Sequence, residues 1–476
     1  MQYLFDQSRR IVNKMARFIF ILGTNWRLSL AEINNFIEKS PYEGRITDYS
    51  ASAAIVEFEQ DNIKDENFDR LMFRLGGTQK IGKLVEFVDL RTLQGAFPEN
   101  ITPDTTIQAK HRRFISNVLK DASYPIYGRI QQLKYFTANS IYGITFQKPY
   151  YKTLVQHFLP YVNKQWMKIL KNKGAKNAEY YRYPEERIKK GTLNPLFPHH
   201  FWAYKLFQEH RKEILYVMTE EGMHIGFTIN VSNSNEIKKI DENRPFKDPK
   251  SSIPPKFAKM MIEFLNLKRP YASSRILDPF CGAGTILMFA HTQGIQTYGL
   301  DIVESRIRGA AKNIKWLSKI LENPRKTPAS QYKVGDIANV DKVFSNINFD
   351  GIISEPFLLP YYRELPRFRE LEQQMQQTVI PNYTLLFSSG SKILKPKCRI
   401  VVTSPAVETV DGGRYRLQIE RIANNHGFKA VPIYGNKFIA EKSDQDLQLF
   451  SDKKSLYDDK SEVIRREFHV FEKIEK

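Results

Sequence analysis

The chain has 476 residues, 42% of them apolar and 26% charged, with a formal net charge of +20. It is too long for one ordinary core and too apolar for a disordered chain, so two or three globular domains are expected. Two cysteines, Cys281 and Cys398, cannot build a disulfide framework and suit a reducing, cytoplasmic compartment, and no apolar run approaches the length of a membrane span. The apolar stretch Phe18–Leu22 sits behind Arg9, Arg10, Lys14 and Arg17 but is interrupted by Asn25–Trp26–Arg27, with no small-residue cleavage site after it.

Along the chain, Phe18–Leu22 and Ala53–Phe58 read as strands, each followed by a helical pattern, Leu28–Ile37 and Phe68–Leu75. This predicts a small α+β unit. Thr105–Ala109, Ile141–Phe146 and Ile214–Met218 read as further strands. Tyr151–Leu170 reads as a long basic helix with a kink or break expected at Pro160. Residues 101–200 hold 17 Lys and Arg against 5 Asp and Glu, a net of +12. An excess of that size attracts polyanions, nucleic acid above all. His199–His200 has no partners at metal-ligand spacing and reads as a surface loop, whereas Trp166 and Trp202 read as core.

Residues 232–254 are polar and proline-bearing and read as a linker. Pro254–Pro255 then opens a helix with Phe257, Met260, Met261 and Phe264 on one face. From Arg275 short apolar runs alternate with amphipathic helices. Strands are expected at 275–277, 297–300, 331–334, 349–353, 399–403 and 429–433, with helices at about 284–292, 304–321, 381–394 and 415–425. The pattern predicts a doubly wound α/β domain with a mostly parallel sheet, closed by an edge strand at Val463–Phe471 with one wet face.

The sharpest motif is Ile276–Leu277–Asp278–Pro279–Phe280–Cys281–Gly282–Ala283–Gly284–Thr285–Ile286: a buried strand, a tight two-glycine loop and a helix. Asp278 suits a cationic ligand, because it can accept from an α-amino group. Asp301 ends the next strand 19 residues after Gly282, the spacing at which acids take ribose hydroxyls. Asp336 follows the third strand, where an adenine amine can donate to it. Leu287 stands where a dinucleotide fingerprint needs its third glycine, and no Gly-Lys-Ser/Thr follows for a phosphate loop.

With these residues the chain resembles the class I (Rossmann-like) methyltransferases that use S-adenosylmethionine, in the branch with an Asp-Pro-Phe-Cys-Gly-x-Gly-Thr loop, dominated by amino-group methylases of nucleic acids. The resemblance implies that Asp278, Phe280, Gly282 and Gly284 line the methionine end of the cofactor, Asp301 the ribose, and Asp336 with Ile337 the adenine. It places the chemistry at Ser354–Glu355–Pro356–Phe357, where the family carries Asp/Asn/Ser-Pro-Pro-aromatic. There an acceptor side chain and a backbone carbonyl each take an amine N–H, turning the nitrogen lone pair toward the methyl group, and the aromatic stacks on the extruded base. Glu355 replaces the family's first proline. The residues leave Ser354, the Glu355 carboxylate and the Glu355 backbone carbonyl open as acceptors, and an inactive site open as well. No cysteine sits in this loop, which points away from C5 methylation and toward nitrogen.

Upstream, Phe18–Gly23 with Leu28–Ile33, Leu75–Ile81, Thr219–Gly226, and Arg244–Lys250 followed by Pro254–Ala258 look like their counterparts in THUMP-containing tRNA guanine-N2 methyltransferases. That resemblance implies a ferredoxin-like α+β unit at 15–98, a THUMP RNA-binding domain at 99–231, a linker at 232–254 and the methyltransferase domain at 255–476. It implies methylation of N2 of a guanosine in tRNA, typically guanosine 10, with tRNA as partner; the need for an activating subunit is left open, the sequence giving no indication of one. An rRNA guanine-N2 or nucleic-acid adenine-N6 methyltransferase, and a catalytically inactive RNA-binding relative, are the alternative readings.

Overall fold

A computed structural model of the chain describes residues 16–59, 63, 65–98, 109–121, 134–143, 153–182, 186, 196–208, 210–248, 253–268, 271–320, 331–360, 362–458 and 463–475. Within them the first half of the chain builds one eight-stranded sheet. Its strands are β1 (Ala16–Leu22), β2 (Gly44–Ser50), β3 (Ala53–Phe58), β4 (Thr78–Asp89), β5 (Lys134–Tyr142), β6 (Asn177–Tyr180), β7 (Arg211–Met218) and β8 (Gly222–Val231), in the order β2-β3-β1-β4-β8-β7-β5-β6. The helices of this half are α1 (Trp26–Lys39), α2 (Asp65–Arg74), α3 (Leu90–Ala96), α4 (Ala109–Asp121), α5 (Leu159–Asn172) and α6 (Pro198–Ala203).

Antiparallel pairing of β4 with β8, from Lys80 opposite Val231 to Asp89 opposite Gly222, makes segments 15–98 and 99–231 share this sheet. At its middle Lys80 and Glu213 form an ion pair at 2.5 Å with both side chains fully buried. Ser140 and Thr228 hydroxyls each donate to the Glu213 carboxylate at 2.7 Å, so the buried charges are hydrogen-bonded on several sides. The helix expected across Pro160 is present. A π turn at Leu154–Phe158 leads into α5, which puts Pro160 in the first α turn, where its missing N–H costs nothing. The strand expected at Thr105–Ala109 lies mostly outside the described residues, and Ala109 itself opens a helix. Trp166 is fully buried and donates to the Tyr216 hydroxyl at 2.7 Å, but Trp202 is 40% exposed, contrary to the core position expected for it. The His199 and His200 rings lie 4.0 Å apart beside Phe197. Among the described residues no cluster of three His, Cys, Asp or Glu side chains is arranged to hold a metal, and no helix is long and apolar enough to cross a membrane.

The second half begins with α7 (Ser234–Glu242) and α8 (Pro255–Phe264). Its strands are β9 (Arg275–Asp278), β10 (Gln296–Asp301), β11 (Tyr332–Val334), β12 (Phe349–Ser354), β13 (Leu394–Glu408), β14 (Arg414–Arg416), β15 (Phe428–Ala430), β16 (Ser455–Tyr457) and β17 (Ile464–Lys473). The helices are α9 (Thr285–Thr292), α10 (Glu304–Ile320), α11 (Val340–Val343), α12 (Phe368–Gln374), α13 (Ile380–Ile393) and α14 (Ile419–Asn425). The strand order is β11-β10-β9-β12-β13-β17-β15, parallel from β11 through β13. This is a doubly wound, Rossmann-like sheet. It reverses direction of growth between β9 and β12, the place where such sheets open a crevice at their carboxyl edge. The expected edge strand Val463–Phe471 is not at an edge. Its strand, β17, lies antiparallel between β13 and β15, and Phe468, Val470 and Phe471 are buried. Its charged residues misled the pattern because they are paired inside the protein: Glu467 with Arg416, and Arg466 with Glu355.

Within the polar segment 232–254, the described residues 232–248 are held by specific bonds. They include α7, and beyond it Arg244 donates to the Thr285 hydroxyl at 2.8 Å. The Asn313 side chain holds Phe246 by both its backbone N–H and its carbonyl at 2.9 Å each. Asp248 accepts from Arg306 at 2.9 Å. The Phe246 ring fills the space above Gly309, where any Cβ would lie 2.1 Å from it. Residues 244–248 therefore lie as a strap across α9 and α10.

The two sheets also share a core. One apolar cluster runs from Phe20, Leu30 and Ile37 through Phe257, Met261 and Phe264 to Ile276 and Phe468. At its rim Asn34 and Asn35 donate to the carbonyls of Tyr434 and Ile433 at 2.6 and 2.8 Å, and Tyr49 donates to that of Leu447 at 2.8 Å. The close approach of Gly76 to α8 leaves no room for a side chain: a Cβ there would stand 2.0 Å from the Lys256 carbonyl. Glu32 accepts from the N–H groups of Gly76 and Gly77 at 2.6 and 2.9 Å, which fixes that turn.

Candidate active site

The site is built from the bottom up by the strand ends. Ile276 and Leu277 are fully buried, so β9 ends with Asp278 inside the protein, 2% exposed. The chain then turns through Pro279–Gly284. Gly282 and Gly284 have φ of +50° and +78°, values that favour glycine. The loop is held by Cys281 N–H donating to Leu300 O at 3.0 Å and Gly284 N–H to Cys281 O at 2.7 Å, and α9 starts at once with Gly284 as its cap. A Cβ on Gly284 would meet that of Ala310 at 3.1 Å, so the loop is pressed against α10.

Around this loop the acids named from the sequence occupy different environments. Asp278 accepts from Phe280 N–H at 3.1 Å and from the Ser354 hydroxyl at 2.6 Å. Burial pushes its carboxyl up to about 7, against the opposing pull of the Ser354 hydrogen bond. Asp301, 7% exposed, accepts from Gly282 N–H at 3.0 Å and Val303 N–H at 2.9 Å, fastening the glycine loop to the end of β10. Asp336 is exposed and caps the short turn Ile337–Asn339 by accepting from Ala338 N–H at 2.8 Å, and Ile337 is buried behind it. Phe280 is half-buried over the third apolar cluster. The three acids thus line one carboxyl edge in the order of their strands. Ile302, next to Asp301, is 72% exposed, an apolar side chain left in the open beside this row. Periodicity could not single it out, since it lies in a loop after a strand end.

Ser354 ends β12 opposite Val402 of β13 and is fully buried, its hydroxyl spent on Asp278 across the switch point. Glu355 turns the other way. Its carboxylate accepts from Arg466 Nε at 2.7 Å and Nη2 at 3.2 Å, and from the Thr403 hydroxyl at 3.1 Å. Pro356 is buried and Phe357 is 52% exposed. Beneath the loop, Tyr383 is buried and donates to Thr403 O at 2.7 Å. Arg466 was not among the residues singled out from the sequence, and its partner lies 111 positions away, which no local pattern reveals. Tyr362 donates to Gln374, and Tyr361 falls outside the described residues.

No family model matches the chain. A tRNA (guanine(10)-N2)-dimethyltransferase of Pyrococcus abyssi is 34% identical over 125 residues, 25% of this chain and 33% of that protein. One from Methanothermobacter thermautotrophicus is 40% identical over 72 residues, 15% of this chain and 20% of that protein. The chain thus spans about a third and a fifth of the length of these two relatives. Among solved structures, TrmN from Thermus thermophilus aligns over 97% of this chain and 100% of its own with TM-score 0.45 and 13% identity. A possible methylase from Clostridium difficile aligns over 97% and 99% with TM-score 0.42 and 15% identity.

Proposed function

We propose that the chain transfers a methyl group from S-adenosylmethionine to the exocyclic N2 of a guanosine in tRNA, with guanosine 10 the first position to examine. The observation that carries this reading is the crevice at the β9/β12 switch point, where a two-glycine loop, a buried acid and the loop Ser354–Phe357 meet. The partial relatives named above agree with that substrate. In this reading residues 15–98 form a ferredoxin-like unit and 99–231 a THUMP domain that together hold the RNA, and 255–476 carry the chemistry.

The residues present fit the cofactor. Asp278 is a buried carboxyl with a raised affinity for its proton, so a cationic α-amino group beside it relieves a real electrostatic cost. Gly282 and Gly284 keep the loop free of Cβ atoms where backbone must approach a ligand. Asp301 retains lone pairs for hydroxyls, and Asp336 with the exposed Ile302 offers an acceptor and an apolar face for adenine. Bound there, S-adenosylmethionine supplies an electrophilic methyl group.

The chain's own residues prepare the nucleophile. Phe357 offers an exposed ring for stacking a base drawn out of its helix. An aryl amine is a poor nucleophile until its N–H bonds are taken by acceptors that aim the lone pair. Ser354 is fully buried with its hydroxyl donated to Asp278, and the Glu355 carboxylate is turned onto Arg466 and Thr403, so we assign that role to the Glu355 backbone carbonyl, with Arg466 and Thr403 fixing the turn that presents it. Precise placement of the two reactants then supplies much of the acceleration.

Methyl transfer from labelled S-adenosylmethionine to bulk tRNA, followed by nucleoside analysis, tests the proposal. N2-methylguanosine or its dimethyl form is the expected product. Label in rRNA instead moves the substrate, and label in neither, despite cofactor binding, refutes the reading.

A further inference from the structure

Beyond the crevice, β13 continues past Val402, the partner of Ser354, for six residues to Glu408. At about 3.3 Å per residue this carries the strand and its neighbour β17 roughly 20 Å out over the catalytic edge. The hairpin tip that follows, Thr409–Gly413, closes with Thr409 N–H on Gly413 O at 2.9 Å. It is tied back to the loop that leaves the site: Val410 N–H donates to Pro366 O at 3.1 Å, and Phe368 N–H to the Asp411 carboxylate at 3.0 Å. Phe368 also packs on Tyr415 with ring centroids 5.5 Å apart.

The lip so formed has a composition that the fold does not require. Arg363, Arg367 and Arg369 are exposed within seven residues, and among the described residues none of them has an ion-pair partner. Arg414 and Arg416 beside them are already paired, with Glu408 and Glu467 at 2.6 Å each. The acids on the lip are Glu364, Glu370 and Asp411, and Asp411 is occupied by the Phe368 N–H. Leu365, Phe368 and Val410 are left 44%, 41% and 59% exposed, and Phe357 of the preceding loop is 52% exposed. Free guanidiniums interleaved with uncovered apolar and aromatic groups match a strand whose phosphates face outward and whose bases are unstacked.

Resting on the methyltransferase reading above, we infer that the lip of residues 362–369 and 409–415 grips the unpaired RNA nucleotides that flank the target base. The three arginines take the phosphates, and Phe368 with Tyr415 takes a neighbouring base. Its position within about 20 Å of Ser354 confines it to the immediate neighbours of the extruded nucleotide, while the basic segment 101–200 serves more distant contacts.

The test compares the full chain with the triple variant Arg363→Ala/Arg367→Ala/Arg369→Ala and with Phe368→Ala. The readouts are methyl transfer to bulk tRNA across a salt series, S-adenosylmethionine affinity by calorimetry, and filter binding of the same tRNA. For the triple variant we expect KM for tRNA to rise about tenfold or more and the log–log salt slope of kcat/KM to shrink by about 2, the loss of three phosphate contacts at roughly 0.7–0.9 each. Phe368→Ala should raise KM while leaving the salt slope as it was. Cofactor affinity reports that the fold is intact in both. A triple variant with wild-type KM and salt slope overturns the inference, and assigns the lip to a protein partner if one co-purifies with the wild type alone. Should the wild type methylate no RNA, the functional reading fails on its own. Filter binding then decides the lip separately, equal tRNA affinity of wild type and triple variant being the result that overturns it.

Discussion

The pair Glu355–Arg466 is the sharpest place to press. Its side chains are 13% and 16% exposed, and the guanidinium spans both carboxylate oxygens at 2.7 and 3.2 Å. Arg466→Met strips Glu355 of its charge partner and leaves it the Thr403 hydroxyl, while also removing the cation 3.9 Å from buried Asp458. Uncompensated buried charges of this kind cost about 3–5 kcal/mol when fully enclosed, and the residual exposure lowers the expectation to about 2–3 kcal/mol. For a cooperative unit the size of the second half, that is a fall in Tm of about 5–10 °C. Glu355→Gln keeps an acceptor for Arg466, which retains Asp458, so it should cost about half as much. The double variant should recover part of the loss, a coupling of about 1–2 kcal/mol in a thermodynamic cycle read by calorimetric melting. In methyl-transfer assays each single variant should lose about 10- to 100-fold in kcat with cofactor affinity retained, because the carbonyl is misplaced rather than removed. Additive stabilities, with coupling under about 0.5 kcal/mol, would make the ion pair an ornament. A loss in Glu355→Gln of about 10⁴-fold in a well-folded protein would name the carboxylate itself as the amine acceptor.

Other consequences are as direct. Asp278 holds its proton to about 7 in the folded chain against 3.8 for the free side chain, so the native state keeps a proton that the unfolded chain releases. This group's contribution to stability therefore falls as pH climbs from about 4 to about 7 and is constant above, while affinity for S-adenosylmethionine rises over the same window. Asp278→Asn should melt higher than wild type near neutrality and converge with it in acid; parallel melting curves across that range would defeat the assignment. Lys259 is 2% exposed and its Nζ, without a hydrogen-bond partner, lies 5.5 Å from the Phe73 ring centre. Lys259→Met should be neutral or raise Tm, since it exchanges a poorly solvated ammonium for a thioether of similar length, and a drop of several degrees would instead mark it as the counter-charge of Glu32. Gly309→Ala drives a methyl into the Phe246 ring and should cost about 1–3 kcal/mol by denaturant melting, with partial rescue by Phe246→Leu. Absence of rescue would place the strain elsewhere.

The parallel strands of the second half were legible because each is a short apolar run closing on an acid or a small residue, as Ile276–Leu277–Asp278 shows. The glycine loop was legible because its chemistry is local. The long antiparallel strands were not. β4 mixes Lys80, Lys83 and Glu86 into an apolar sequence, and Lys80 is inside because Glu213 meets it there. β17 was legible as a strand but not as an interior one, because Glu467 and Arg466 have partners 51 and 111 positions away, and the strap was not legible because Arg244, Phe246 and Asp248 act singly and create no period. At the site the sequence named Ser354 and Glu355 but left their roles open. The bonds to Asp278 and Arg466 cross 76 and 111 positions, a separation at which spacing carries no information.

The core that bridges the two sheets changes what a truncated protein means. A fragment beginning near residue 255 would bare the side of α8 that carries Met260, which closes on Gly77, and Lys259, which lies against Phe73, both buried in the whole chain. Such a fragment is expected to aggregate, so its silence would say nothing about whether the first half recruits substrate. The same joinery ties the two sheets together at the shared core. In the proposed reading the distance across that shared core acts as a caliper, selecting a nucleotide by how far it lies from the part of the RNA held by the first half.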